Sequence, residues 1–225
     1  MLDRFFIALG YGLCHQLPER SFFAGGYQLP VCARDAGIYL GFALGLLGLA
    51  VLARGSRPTE LPRWPVLVLV ALFVGAMAVD GVTSYAGLRT TTNDLRLLTG
   101  LLAGWALATI TVPMVNSQIW RDGRAVRVPD GSRQVLWWLA LLAASFVVSR
   151  WMLPVLGVVY PLLVSAAIVV TFVAVNLVFV GLIPAFERRA RRLRDIGPQV
   201  AIALVLGAIE LAGASLLRMV AERFA

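Results

Sequence analysis

The sequence predicts an all-α fold, a polytopic helical bundle in a membrane, on three observations. Of its 225 residues, 60% are hydrophobic, only 14% are charged, and the mean hydropathy is +0.83. This composition excludes an ordinary soluble domain, and the length suits five to seven spans of about 20 residues. The third observation is that arginine-bearing stretches separate the apolar runs. We therefore expect a multi-pass protein of the cell (inner) membrane, with the lipid bilayer as a partner.

The predicted elements follow one another as a single membrane domain, residues 1–225. Residues 1–36 form an N-terminal segment whose apolar run, 5–14, is too short to cross a bilayer and favours an interfacial or re-entrant helix. Six spans are predicted near residues 37–53, 65–86, 95–119, 134–157, 161–186 and 198–219. Proline at the start of three spans suits a first helical turn, and Pro154 should bend the end of the fourth span. Glycines at four-residue spacing in the first and third spans predict close helix packing.

The distribution of arginine predicts the orientation of the spans. All 20 basic residues are arginine and the formal charge is +8, which in a polytopic protein marks cytoplasmic loops rather than nucleic-acid binding. The arginines concentrate in alternate loops, the first, third and fifth, so these loops share one side, which the positive-inside rule makes cytoplasmic. The N-terminal segment, the second-to-third loop and both termini are then extracytoplasmic.

Residues 14–39 contain both cysteines and the only histidine of the chain. Cys14, His15, Cys32 and Asp35 offer thiolate, imidazole and carboxylate groups, which are donors for zinc and related divalent ions. Four ligands would fill a tetrahedron, and three would leave the open position of a catalytic site. We expect at most one divalent ion, zinc in the first place. Two alternatives remain open: a Cys14–Cys32 disulfide, permitted on the extracytoplasmic side, and two inert buried thiols.

A second polar string, DGVTSYAGLRTTTNDLRLLTG, begins at Asp80. A carboxylate at membrane depth needs a partner, and Arg34, Arg89 and Arg96 are the candidates. One interpretation is an ion-pair clasp that fixes the helix ends. The other is a pocket for an anionic group, either a lipid phosphate or a small anion. The pocket residues would be Arg34, Asp80, Arg89, Asn93 and Arg96.

Further polar residues lie in or beside the spans. Asn93 or Asp94 is predicted to cap the third helix. Glu210 lies about 18 Å into the sixth span, near the middle of the membrane, where it is either paired within the bundle or part of a proton path. Arg150, near the outer end of the fourth span, either reaches the surface or joins the outer basic cluster.

The strings CHQLPERSF, PVCARDAGIYLG and the one beginning at Asp80 resemble a family of small prokaryotic multi-pass membrane proteins of unknown function. The resemblance covers roughly the first half of the chain. It implies a membrane fold and a shared site on the outer face, without an established activity, substrate or cofactor. In many members a cysteine followed by threonine stands where this chain has Asp35 and Ala36. That departure weighs against four soft ligands and leaves a mixed site open.

The sequence leaves the class of function open. It lacks a nucleophile elbow, a P-loop, a dinucleotide fingerprint, an HExxH motif and a CxxCH haem motif, so no catalytic residue is assigned and an enzyme is neither predicted nor excluded. The leading hypothesis is a metal-binding membrane protein with an outward-facing polar pocket. The second is a non-catalytic accessory subunit of a larger membrane complex, stapled by a Cys14–Cys32 disulfide. The third is a small transporter or channel that uses Asp80 and Glu210.

Overall fold

The computed structural model describes residues 2–224 and confirms the all-α prediction. Seven α-helices follow one another along the chain: α1 (Leu2–Gly10), α2 (Ala33–Ala53), α3 (Trp64–Tyr85), α4 (Asn93–Ile119), α5 (Gly131–Val147), α6 (Val159–Gly181) and α7 (Gly197–Phe224). Six of the seven, α2 to α7, are long and apolar enough to cross a membrane. The nine-residue α1 is too short to span a bilayer.

Several helix bounds differ from the predicted spans, and three of the differences have a local cause. Helix α2 begins at Ala33, four residues before the predicted start, because Cys32 adopts the extended backbone of an N-cap and polar residues fill the first turn. Helix α6 ends at Gly181 rather than near 186, since Pro184 follows and cannot continue the helix. Helix α5 is regular to Val147 and then passes through a π-turn and a 3-10 turn around Pro154, which bends it as predicted.

The spanning helices form an inner and an outer set. Of the apolar window of each helix, 44–61% is buried in α2, α4 and α6, against 11–17% in α3, α5 and α7. Trp105 of α4 and Trp138 of α5 are fully buried in the core between them, and Phe73 of α3 stacks on Trp138 at 5.6 Å between ring centroids. The outer helices therefore turn most of their apolar surface toward the bilayer.

Helices α2 and α4 approach so closely that only glycine fits between them. A Cβ atom on Gly100 would lie 2.0 Å from the carbonyl oxygen of Arg34, and one on Gly104 would lie 2.0 Å from that of Ile38. On the facing helix, a Cβ atom on Gly37 would lie 2.4 Å from the Leu97 oxygen. The predicted small-residue stripes thus form the contact that holds α2 against α4.

The three arginine-bearing loops meet at one end of the bundle, which we call the arginine end (residues 54–63, 120–130 and 182–196). A short parallel pair, β3 (Pro58–Glu60) with β4 (Arg124–Arg127), joins the first two loops. The Arg121 amide donates to the carbonyl oxygen of Ala190 at 2.9 Å and joins the third.

The opposite end, which we call the cysteine end, gathers the N-terminal segment and the remaining connections (residues 11–32, 86–92 and 148–158). A hairpin of β1 (Phe23–Ala24) and β2 (Tyr27–Gln28) turns through Gly25 and Gly26, both of which have positive φ. Arg218, near the end of α7, donates to the carbonyl oxygen of Cys14 at 2.5 Å. The two termini of the described chain therefore lie at the cysteine end.

Candidate functional site

Two glutamines fold the N-terminal segment back on itself and bring Cys14 to Cys32. Gln16, whose φ is +53°, donates from Nε2 to the carbonyl oxygen of Pro30 at 2.6 Å, and Gln28 donates to the Gln16 oxygen at 2.7 Å. The sulfur of Cys14 then accepts from the backbone amides of Gln16, at 3.4 Å, and Cys32, at 3.3 Å. These bonds fix the position of the Cys14 sulfur at the N-terminus of α2.

The two thiols and one carboxylate converge in what we call the thiol cluster, formed by Cys14, Cys32 and Asp35. One ligand atom from each residue lies within 4.8 Å of the other two, and all three residues are half-buried. The Cys32 thiol donates to Oδ2 of Asp35 at 3.2 Å, as a three-residue spacing in the first turn of α2 allows. His15 is exposed and stands outside this convergence, because adjacent side chains point in different directions.

Both cysteines are free thiols, and their pKa values shift in opposite directions. A hydrogen bond from the Cys32 thiol lowers the pKa of Cys14. The same bond, followed by burial, raises the pKa of Cys32 far above its ordinary value. Cys14 is therefore the thiol that becomes a thiolate first.

Asp80 is the centre of a clasp that ties α2, α3 and α4 together. It is 1% exposed, and its Oδ2 accepts from Nε of Arg34 at 3.0 Å, Nη2 of Arg34 at 2.5 Å and Thr99 at 3.2 Å. Its Oδ1 accepts from Arg89 and from Thr91 at 3.0 Å. Of the three arginines that the sequence offered as partners, the structure selects two, and both carboxylate oxygens are occupied.

Arg96 is the arginine that the clasp leaves out. It is 8% exposed in the first turn of α4, and its one side-chain hydrogen bond reaches Oδ1 of Asn93 at 3.2 Å. Within residues 2–224 no carboxylate lies within ion-pair distance of Arg96. A guanidinium has five N–H donors, and a buried charge without a partner is costly.

Arg96 lines a cavity of about 100 Å³ next to the thiol cluster. The cavity walls are formed by Cys14, His15, Leu17, Arg20, Cys32, Arg34, Tyr85 and Arg96. Arg20, whose guanidinium lies 5.8 Å from the ring centroid of Tyr85, is a second cation there without a carboxylate partner among the described residues. Sequence patterns alone assign no role to Arg20, although it stands within the string CHQLPERSF.

The remaining predicted residues lie outside this cavity. Asn93 is not the helix cap: Thr92 accepts from the Leu95 amide instead, and Asn93 donates to the carbonyl oxygen of Ser21 at 3.4 Å. Arg150 pairs with Asp94 at 2.5 Å on the surface of the cysteine end.

Glu210 is likewise outside the cavity. It is exposed on α7 and accepts a hydrogen bond from the amide nitrogen of Asn176 at 2.9 Å. The bond joins α7 to α6, so Glu210 has a partner within the bundle.

Comparison with known proteins places these residues in a shared region. A sequence model of the family described as Predicted membrane protein (DUF2085) matches residues 14–110. An uncharacterized protein of Methanocaldococcus jannaschii is 36% identical over 109 residues, which cover 48% of this chain and 67% of that protein. An uncharacterized protein of Methanothermobacter thermautotrophicus is 39% identical over 100 residues, 44% of this chain and 84% of that protein. The chain belongs to this family. No solved structure matches the chain significantly.

The region matched by the family model holds the whole site described above. It begins at Cys14 and ends within α4, after Arg96. The thiol cluster, the clasp around Asp80 and the cavity walls all lie inside it, whereas α5, α6 and α7 lie beyond it. The site is therefore built from the part of the chain that the family shares.

Proposed function

We propose that this membrane protein binds one divalent metal ion, zinc in the first place, at the thiol cluster. The observation that carries the proposal is the convergence of Cys14, Cys32 and Asp35 within 4.8 Å. A Zn–S distance of about 2.3 Å implies about 3.8 Å between sulfurs in a tetrahedral site, so a small contraction would seat the ion. Three protein ligands leave a fourth position open, as in catalytic zinc sites.

The cavity beside the cluster supports an anion as the second ligand. Arg96 and Arg20 face it, and neither has a carboxylate partner among residues 2–224. Arginine binds phosphate and carboxylate groups with paired N–H donors. A volume of about 100 Å³ accommodates one such group and excludes a whole lipid. An oxygen of that group, or a water molecule, would occupy the open metal position.

The orientation that we propose puts the site on the outer face of the membrane. The three arginine-bearing loops meet at the end opposite the cysteines, and the positive-inside rule assigns that end to the cytoplasm. The pocket would then open toward the extracytoplasmic space.

The test is elemental analysis of the detergent-purified protein, with thiols titrated under denaturing conditions in the presence of a chelator. We expect about one metal ion and two free thiols per chain. Cys32→Ser should abolish metal binding. His15→Ala is the matched control, since its side chain stands outside the cluster, and this variant should keep the metal.

Two other results would overturn the proposal in different ways. Absence of both metal and free thiols would indicate a Cys14–Cys32 disulfide and favour the accessory-subunit alternative, to be pursued by copurification. Absence of metal together with two free thiols would exclude both the metal site and the Cys14–Cys32 disulfide. The transport alternative gains no support from Asp80, whose two oxygens are already occupied by arginine and threonine donors.

A further inference from the structure

A groove between α2 and α5 opens at the arginine end, far along both helices from the cysteine end. Its volume is about 460 Å³, and it is lined by Val51, Leu52, Arg54, Arg133, Gln134, Trp137 and Leu141. Val51 and Trp137 are 68% and 57% exposed, so the groove has an apolar floor that remains uncovered by the bundle. Nothing in the proposed metal site uses it.

On both helices of the groove, an arginine lies at the helix end and an apolar residue lies about one turn deeper on the same face. Arg54 caps the C-terminus of α2, and Val51 precedes it by three residues on the same face. Arg133 lies in the first turn of α5, and Trp137 follows four residues later on the same face, about 6 Å deeper along the axis. Both helices therefore present an arginine at the membrane boundary and an apolar side chain below it.

The two arginines of the groove have no carboxylate partner within residues 2–224. Three other arginines at the same end are neutralised in ion pairs: Arg57 with Asp122, Arg63 with Asp130 and Arg127 with Glu60. Two positive charges are thus left at the mouth of an apolar groove. Trp137 lines the same groove, and tryptophan is enriched at the membrane–water interface.

We propose that this groove binds an anionic phospholipid. The headgroup phosphate lies between Arg54 and Arg133, and an acyl chain runs over Trp137 and Leu141. The charge of the mouth selects an anionic over a zwitterionic lipid, as basic pockets between spanning helices do on the cytoplasmic side. A soluble phosphate would leave the apolar floor uncovered.

The test is native mass spectrometry of the detergent-purified protein with equal amounts of phosphatidylglycerol and phosphatidylcholine of matched acyl chains. The intact protein should retain phosphatidylglycerol preferentially. Arg54→Gln combined with Arg133→Gln should weaken that preference by about 25-fold, because each arginine contributes about fivefold. Thermal unfolding should stay unchanged, because neither side chain makes an ion pair within the described chain.

The matched control is Arg188→Gln combined with Arg189→Gln, which removes the same charge from exposed positions at the same end. This variant should keep the lipid preference. An equal loss in both double variants would overturn the proposal in favour of a diffuse electrostatic effect. Equal retention of both lipids by the unaltered protein would also overturn it, as would full competition by glycerol phosphate, which has no acyl chain.

Discussion

Three arginines near the cysteine end, Arg34, Arg89 and Arg96, have the same side chain but different surroundings. Arg34 and Arg89 hold Asp80, whereas Arg96 is equally buried as Arg34 but faces the cavity. The first two arginines fix the ends of the helices, and the third provides donors for a ligand. A buried ion pair and a buried cation that has no carboxylate partner in the described part of the chain lead to opposite expectations when the residue is changed.

Asp80→Asn is expected to destabilise the protein by about 3–5 kcal/mol, because it leaves the buried guanidinium of Arg34 without its counter-charge. The measurement is thermal unfolding in detergent. Asp94→Asn is the control: its pair with Arg150 is half-exposed, so its loss should cost about 0–1 kcal/mol. Equal shifts in the two variants would contradict the clasp.

Arg96→Gln is expected to lower the affinity for inorganic phosphate by about tenfold or more, since a hydrogen bond to a charged group is worth about 1.5–3 kcal/mol. Isothermal titration of the metal-loaded protein measures it. Arg150→Gln removes a charge from the same end and should bind phosphate as the unaltered protein does. Unchanged binding in Arg96→Gln would remove this arginine from the proposed anion site.

At the scale of elements, the pair α2–α4 carries the site. Helix α2 supplies Arg34, Asp35 and the N-terminus at Cys32, and α4 supplies Arg96. The distance between the two axes is set by glycines that allow backbone contact, so the spacing of the thiol cluster from the arginines depends on this contact.

Gly104→Ala should therefore push α2 and α4 apart, because the new Cβ atom would lie 2.0 Å from the Ile38 oxygen. We expect a loss of about 1–3 kcal/mol, as in other overpacked cores, together with weaker metal retention. Thermal unfolding and elemental analysis measure both. Gly75→Ala in α3 meets nothing within 4 Å and should be neutral or gain up to about 1 kcal/mol. Similar losses at the two positions would argue against the close contact.

At the scale of the whole molecule, two ends of different chemistry are joined by an apolar bundle. One end collects the arginine-bearing loops, and the other collects both thiols and both termini of the described chain. The polar site and the lipid groove belong to opposite ends, so each can be altered without the other.

The orientation can be tested with an impermeant maleimide on intact cells, in a background of Cys14→Ser and Cys32→Ser. Thr90→Cys places a thiol on the exposed connection at the cysteine end, and Arg188→Cys places one at the arginine end. We expect labelling of the first and protection of the second until the cells are opened. The reverse pattern would put the thiol cluster on the cytoplasmic side.

Much of the fold could be predicted because the bilayer imposes it. A span needs about 20 apolar residues and internal hydrogen bonding. Apolar runs, prolines and arginine-bearing loops therefore indicate six helices and which loops lie at the same end of the bundle. The observed helix bounds differ from the predicted ones where polar residues begin or end a helix, because hydropathy does not detect such turns. In the first turn of α2, for example, polar side chains are hydrogen-bonded by tertiary partners. The glycine stripes predicted a close helix contact, although the four-residue spacing does not determine which helix each stripe faces.

The sequence by itself determined the membrane-embedded class and the gathering of thiols, carboxylates and arginines in the first half of the chain. Only the tertiary structure decided which of them meet. Cys14, Cys32 and Asp35 converge, whereas His15 is exposed. Asp80 forms ion pairs with Arg34 and Arg89 and not with Arg96. The physical reason is direction: hydropathy reports that a residue is polar, whereas helix rotation and backbone turns decide where its side chain points.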